Sequence, residues 1–202
     1  MKIGIFGGTF DPPHIGHINA CLKFLSSFEM DKLYVIPTSI PPHKVRKSDV
    51  STEDRAEMTK LAFSDLSDKI EISDVELKRE GKSFTSDTIE YFKNRGNDEI
   101  LLLCGTDMFV TFDTWHEFEY IFDNATIVCV RRENDLNYKS LILEKDREYK
   151  SKYNAKTEFL DIDVVEISST EIRNNIYCQN SNKYLSKAVY DYIIKKGLYK
   201  HE

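Results

Sequence analysis

The chain has no closely spaced cysteine pair. Cys21, Cys104, Cys129 and Cys178 stand far apart, and without a CxxC pair nothing seeds a zinc site. Three of them, Cys21, Cys104 and Cys129, sit inside apolar runs and read as buried thiols. No apolar run approaches the length of a membrane span, and no basic-then-apolar leader opens the sequence. The expectation is a reduced, cytoplasmic protein with no membrane partner. A basic excess is missing too. Lysine and arginine number 28 against 34 acidic residues, a net charge of −6. That balance argues against a duplex nucleic-acid binder. It leaves small anionic substrates open, because a few local cations suffice to hold a phosphate. No repeat, low-complexity tract or linker breaks the 202 residues. They are expected to form one domain, residues 1–202, with a small helical C-terminal part from about 168 packing on it. The sequence does not distinguish a monomer from a homo-oligomer.

Two common phosphate loops are also missing. The G-x-G-x-x-G dinucleotide fingerprint is absent, and Pro37-Thr38 stands where a ribose-binding acid would follow the second strand. No Gly-Lys-Ser/Thr of a Walker loop occurs. An NAD-dependent oxidoreductase is therefore disfavoured.

What is present is an alternation of short apolar strands and amphipathic stretches. Ile3–Phe6, Lys32–Pro37, Ile70–Ile72, Ile100–Cys104, Ala125–Val130 and Val164–Ile167 read as strands. Ile18, Cys21, Leu22 and Leu25 recur at helical spacing. Ser51 or Thr52 is placed to cap a helix bearing Met58, Leu61, Ala62 and Leu66. Ser86–Lys93 reads as a short helix, and Asn134–Lys156 as a polar helix or variable region. Tyr184–Ile194 carries Leu185, Ala188, Val189, Tyr192 and Ile193 on one stripe, with Gly197 as the stop. Together these predict an α/β protein: a Rossmann-like, doubly wound, mainly parallel sheet with helices on both faces. Ligands of such sheets bind beyond the carboxyl ends of the strands. Gly7-Gly8-Thr9, Pro37–Lys44, Gly105-Thr106-Asp107, Arg131-Arg132 and Ser168–Arg173 are all expected there.

The first of these segments carries the chemistry. Gly7-Gly8-Thr9-Phe10 can bring backbone N–H groups against a phosphate. A plain strand–helix turn explains a glycine pair equally well. His14-Ile15-Gly16-His17 is sharper, since three-residue spacing at a helix start puts both imidazoles on one face. Gly16 is a poor helix former, so something is expected to approach the backbone there. Two imidazoles beside a helix N-terminus suit an anion. A structural histidine pair or half a metal site is the alternative, and no third metal ligand is evident.

The motif Gly-Gly-Thr-Phe-Asp-Pro-Pro-His-Ile-Gly-His, with the late Ile167-Ser168-Ser169-Thr170-Glu171-Ile172-Arg173, resembles the nucleotidyltransferase superfamily with a (H/T)xGH motif. Pro37–Lys44, Ser83–Thr88, Gly105-Thr106-Asp107 and Trp115 narrow the resemblance to nicotinate mononucleotide adenylyltransferases, from Lys2 to about Tyr199. The resemblance implies transfer of AMP from ATP to nicotinate mononucleotide, giving deamido-NAD and pyrophosphate in NAD biosynthesis. It implies that His14 and His17 contact the ATP phosphates and the transition state. Gly7, Gly8, Thr9, Phe10, Gly16, Gly105 and Ser169 join them in the ATP site, with Lys44, Thr170 and Arg173 holding the outer phosphates. Asp107 is assigned to ribose hydroxyls, with a helix cap as its plain alternative. Trp115 is assigned to the pyridine ring, with a core aromatic as its alternative. Thr85 and the backbone of His116 receive the nicotinate carboxylate. Mg²⁺ is implied by ATP and by no ligand cluster, so no metal site from protein side chains is expected.

The chain departs from the family in two places. His116 stands where relatives often carry tyrosine, and Arg131-Arg132-Glu133-Asn134 lacks the usual Pro-Gly-Tyr. The arginine pair reads equally well as solvated surface. Three other readings remain: a nicotinamide mononucleotide adenylyltransferase, a phosphopantetheine adenylyltransferase, and an inactive nucleotide-sensing module. His14 and Trp115 weigh against the pantetheine reading. The set of His14, His17, Lys44 and Arg173 weighs against an inactive one.

Overall fold

The computed structural model describes residues 1–39, 48–96, 99–132, 136–163, 165–178 and 181–200. Six parallel strands form one sheet in the order β3-β2-β1-β4-β5-β6. They are β1 (Lys2–Gly8), β2 (Lys32–Pro37), β3 (Ile70–Ile72), β4 (Glu99–Gly105), β5 (Thr126–Arg132) and β6 (Lys156–Ile162). Helices α1 (Ile15–Ser27), α2 (Thr52–Phe63), α3 (Thr85–Lys93), α4 (Thr106–Phe109), α5 (Phe118–Asn124), α6 (Leu136–Tyr153), α7 (Ser169–Asn175) and α8 (Lys187–Lys196) connect and follow them.

The central strands are apolar on both faces, as strands covered on both sides must be. Side chains alternate between those faces. On one face Ile3, Ile5, Ile100, Leu102, Cys104, Ile127 and Cys129 pack with Ile89 and Phe92 of α3, Phe122 of α5 and Tyr149 of α6. On the other, Phe6, Leu33, Val35, Leu101, Leu103 and Val128 pack with Cys21 and Phe24 of α1, Met58 and Phe63 of α2, and Val189 and Ile193 of α8. The doubly wound α/β architecture is the expected one. Cys21, Cys104 and Cys129 are buried free thiols, and burial pushes the Cys21 thiol up to about 12.

One strand lies elsewhere than expected. Val164–Ile167 reads as the last strand; Val164 lies outside the described residues, residues 165–167 form no strand, and the sixth strand is Lys156–Ile162. Its partner sets the limit. The β5–β6 register runs from Thr126↔Lys156 to Arg132↔Ile162, where β5 ends. Among the described residues no ladder continues beyond Ile162, and Ile167 packs against the core cluster that holds Cys21 and Phe24 of α1. Ser51 is the α2 cap, its hydroxyl accepting from the Asp54 N–H at 3.0 Å. At the other end, Gly197 closes α8 in the left-handed region (φ 65°), and Leu198 N–H reaches back to Ile193. Leu185, Val189 and Ile193 are buried as the stripe required, whereas Ala188 is exposed.

Candidate active site

The strand order reverses between β1 and β4, so their carboxyl ends open the crevice of the sheet. After β1 the chain turns sharply. Phe10 takes a left-handed backbone (φ 47°) and drives its ring into the core against Phe6, Phe63 and His17. Gly8 permits this, because a Cβ there would meet the Phe10 ring at 2.8 Å. A Cβ at Gly7 would meet nothing within 4 Å, which leaves that backbone open.

His14 then caps α1. Its Nδ1 accepts from the Gly16 N–H, and the Nδ1 of His17 accepts from the His14 N–H, both at 3.2 Å. The two rings lie 3.8 Å apart. Since each Nδ1 is an acceptor, the proton of each neutral ring sits on Nε2. Two Nε2–H donors are thereby fixed side by side at a helix N-terminus, an arrangement that suits an anion. The close approach predicted at Gly16 is that of the His14 ring itself. A Cβ on Gly16 would meet it at 3.0–3.1 Å. Gly16→Ala should therefore weaken polyanion binding at this helix start about tenfold by displacing His14 while leaving Tm unchanged or raised, because alanine is the better helix former. Calorimetric titration with a polyphosphate, beside thermal melts, checks this.

Two buried arginines hold this loop from below. Arg55 of α2, 1% exposed, donates Nη1 to the carbonyls of Thr9 (2.8 Å) and Thr38 (2.7 Å), and Nη2 to that of Ser39 (3.0 Å). It ties the segment after β1 to the segment after β2. Arg173 of α7 donates Nη1 to the Asp11 carbonyl at 2.6 Å and Nη2 to the Thr170 hydroxyl at 3.0 Å. The Ser169 hydroxyl donates to the Pro12 carbonyl at 2.9 Å. Ser168 and Glu171 form a capping box at the start of α7. The buried Asp11 carboxylate accepts from Ser48 (2.6 Å) and Tyr199 (2.8 Å), with Arg173 3.7 Å away. Burial, then the Asp11 charge, pushes the Tyr199 hydroxyl far above its ordinary range.

Beside Gly7, Gly8 and Thr9 lies a cleft of about 180 Å³. Gly8, Thr38, Glu76, Thr85, Trp115 and His116 are among the residues around it. Phe112 backs the Trp115 indole in parallel stacking at 4.4 Å. Thr85 opens α3, whose cap Phe84 makes no side-chain hydrogen bond, so the first N–H groups of that helix end at the cleft. The His116 ring lies tilted against Phe84, with centroids 4.2 Å apart. Asp107 is exposed in the first turn of α4, where Gly105 takes the cap position, so Asp107 is not the cap.

The crevice thus gathers Gly7, Gly8, Thr9, Thr85, Trp115 and His116 around one cleft, with His14 and His17 on the adjoining helix and Ser169, Thr170 and Arg173 latched beneath the same loop. Gly105 ends β4, the neighbouring strand, and Asp107 follows it in α4. Lys44 lies outside the described residues. Among these residues no group of three His, Cys, Asp or Glu side chains is placed to hold a metal ion, and no helix is long and apolar enough to cross a membrane.

The cytidylyltransferase-like family model matches residues 5–175. A probable nicotinate-nucleotide adenylyltransferase of Caldicellulosiruptor saccharolyticus is 37% identical over 202 residues, covering 99% of this chain and 100% of its own. One from Clostridium tetani is 35% identical, covering 98% and 99%. The chain belongs to the nicotinate-nucleotide adenylyltransferases of the cytidylyltransferase-like family. The fold agrees. The Plasmodium falciparum nicotinic acid mononucleotide adenylyltransferase complexed with NaAD superposes with a TM-score of 0.76 at 22% identity, covering 98% of this chain and 97% of that one.

Against the adenylyltransferase pattern, several residues of this site escape sequence reading. Arg55 is one, although it interrupts the Met58, Thr59, Ala62 stripe as a lone cation at helical spacing. Asp11 lies inside the opening motif but shows its use only through distant partners, Ser48 and, 188 residues away, Tyr199. His116 contributes a ring as well as a backbone. Arg131 is tied to Asp161 by two bonds of 2.8 and 2.9 Å and covers the Phe159 ring, which makes it a link between β5 and β6.

Proposed function

We infer that this adenylyltransferase transfers AMP from ATP to nicotinate mononucleotide, releasing pyrophosphate and forming deamido-NAD in NAD biosynthesis. The observation that carries the reading is the pairing of two features across one crevice. The His14–His17 ring pair stands at the start of α1, and the cleft with Trp115 and the start of α3 is lined by Gly7, Gly8 and Thr9 of the loop that leads to it. One suits a polyphosphate and the other a flat ring bearing an anion.

A 5′-phosphate oxygen of the mononucleotide attacks the α-phosphorus of ATP. The new P–O bond forms as the bond to the β-phosphate bridging oxygen breaks, and pyrophosphate leaves with that electron pair. The nucleophile is already an anion, so positioning and charge neutralisation are the protein's tasks. His14 and His17 donate from Nε2 to the phosphate oxygens as charge builds in the transition state. Gly7 leaves open backbone beside them, Thr9 and Phe10 carry the turn that would offer its N–H groups, and Gly8 and Gly16 make room for the Phe10 and His14 rings that shape the ATP site. Arg173 places a cation beneath the Asp11-Pro12 turn, and Ser169 and Thr170 present the start of α7. Lys44 completes the outer-phosphate set, and Gly105 lets the nucleotide approach β4. Asp107 accepts from ribose hydroxyls. Trp115 stacks on the pyridine ring, while the N–H groups of Thr85 and His116 meet the carboxylate. An amide in that place would set donors against donors.

Mg²⁺ enters with ATP, carried by phosphate and water oxygens, and belongs to the substrate. The free buried thiols fit a reducing, cytoplasmic setting. Incubation with ATP, Mg²⁺ and nicotinate mononucleotide should give deamido-NAD and pyrophosphate in equal amounts. Hydrolysis of ATP without a dinucleotide product would overturn the reading. Trp115→Ala should raise KM for the mononucleotide about tenfold or more, the worth of one lost ring stack, and leave KM for ATP within about twofold. Equal changes in the two constants would remove the ring from the acceptor site.

A further inference from the structure

Helix α6 contributes no described residue to the cleft, yet it grips the segment that carries Trp115. That segment, between α4 and α5, has little regular structure of its own. Its one element is a short 3-10 turn, Phe112–Thr114, closed by the Trp115 N–H on the Phe112 carbonyl at 3.0 Å. Glu117 then takes a left-handed backbone (φ 51°) before α5 begins. One such turn does not fix an indole by itself. Two side-chain anchors do. The apolar anchor is Phe112, which is fully buried and stacks on Trp115 at 4.4 Å and on Phe122 of α5 at 5.1 Å. The polar anchor is the next residue, Asp113. Its Oδ2 accepts from the Lys145 Nζ at 2.7 Å, and the Tyr149 hydroxyl lies 3.4 Å from its Oδ1. Lys145 and Tyr149 stand one turn apart on α6, on the same face. Tyr149 is fully buried and donates to the Phe109 carbonyl, at the end of α4, at 3.1 Å. The Lys145 and Asp113 side chains are 21% and 27% exposed, so water and salt screen the pair less than one on the open surface. Glu148, 3.1 Å from the Lys145 Nζ, adds a second anion. The Asp113 bond, above all, holds the Lys145 ammonium above the usual lysine range.

We propose that Lys145 is a positioning residue for the acceptor, working through Asp113 to set how Trp115 meets the pyridine ring. This rests on the reading that Trp115 stacks on the ring of nicotinate mononucleotide. Lys145 itself touches no substrate. Phe112 alone leaves the turn free to pivot on one contact, and the Asp113 tie removes that freedom. The stacking face is then formed before the acceptor arrives, so binding has little left to order. Without the tie, binding must also immobilise the turn. That loss falls on the mononucleotide and not on ATP, whose phosphates meet the start of α1.

Trp115 is the only tryptophan of the chain, so intrinsic fluorescence reads its setting without a label. Lys145→Met keeps the stem and drops the charge, Asp113→Asn keeps the shape and drops the charge, and Lys145→Arg keeps the ion pair. In the substrate-free protein the first two should shift the Trp115 emission to longer wavelength and expose it to acrylamide quenching, while Lys145→Arg stays near wild type. Lys145→Met should raise KM for nicotinate mononucleotide about three- to fivefold, the worth of a partly exposed ion pair, with kcat and KM for ATP within about twofold. The double variant should be no worse than either single one, because the two residues act as one unit. Lys145 is only partly buried, so its variants should fold, and they decide the matter if Asp113→Asn does not. Wild-type emission and wild-type KM in Lys145→Met, even with a lower Tm, would overturn the role of Lys145 and leave the acceptor reading standing. Additive effects in the double variant would overturn it too, since each residue would then act by its own route. A wild type that does not turn over nicotinate mononucleotide would overturn the acceptor reading and this inference with it.

Discussion

Replacing His17 with alanine should lower kcat by about 100- to 1,000-fold, the usual cost of one preorganised donor to a transition-state oxyanion. The fold should persist. His17 is only half-buried, and the α1 cap keeps its main bond, from the Gly16 N–H to His14. What the variant loses is one of two Nε2–H donors, together with the acceptor that orients the His14 N–H. KM for both substrates should change far less than kcat, because the donor acts on charge that develops only as the α-phosphorus is attacked. Phe10 holds the ring edge-on at 5.3 Å, so the donor is positioned before substrate arrives. Single-turnover kinetics beside far-UV circular dichroism measures both sides of this. A variant with near-normal turnover would take the histidine out of the mechanism.

Arg55→Ala has the largest expected effect on stability. The guanidinium is buried and donates to three loop carbonyls, those of Thr9, Thr38 and Ser39. Removing it leaves those oxygens without that donor and opens a void beside Met58. A loss of about 3–5 kcal/mol is expected, as for breaking a buried charged group from its partners. For a chain of this size that is a fall in Tm on the order of 10 °C. Activity should fall with it even below the new Tm, because the segments after β1 and β2 are no longer held in register with one another. Arg55→Lys should recover part of the stability and less of the activity, since an ammonium cannot span three carbonyls in one plane. Differential scanning calorimetry decides the point, and a Tm within about 2 °C of wild type would show that the loops are held by other means.

Much of this architecture is legible in the chain itself. Runs such as Ile100–Cys104 and Ile127–Val130 are apolar at every position, which only a strand covered on both faces requires. The histidine pair was legible because short-range geometry at a helix start depends on spacing alone. Sequence reasoning fails where position depends on a distant partner. Val164–Ile167 has the composition of a strand, yet its described residues, 165–167, pair with no strand, while Lys156–Ile162 is half polar and still joins the sheet because β5 offers its edge. Arg131 reads as surface and is instead held by Asp161, a residue on the adjacent strand. Asp11 meets Tyr199, and Arg55 meets the Thr9 carbonyl, only in the folded chain, and no local pattern announces either contact. Glu76 is plain in the sequence as one acid among many, and only its burial sets it apart.

The central claim is that this crevice adenylylates a mononucleotide whose pyridine carries a carboxylate. The most direct measurement is initial-rate pyrophosphate release with ATP and Mg²⁺, comparing nicotinate mononucleotide, nicotinamide mononucleotide and phosphopantetheine as acceptors near neutral pH. The account predicts the highest kcat/KM for nicotinate mononucleotide, about tenfold or more above the amide, and no release above background with phosphopantetheine. Equal or greater efficiency with either competitor would contradict it.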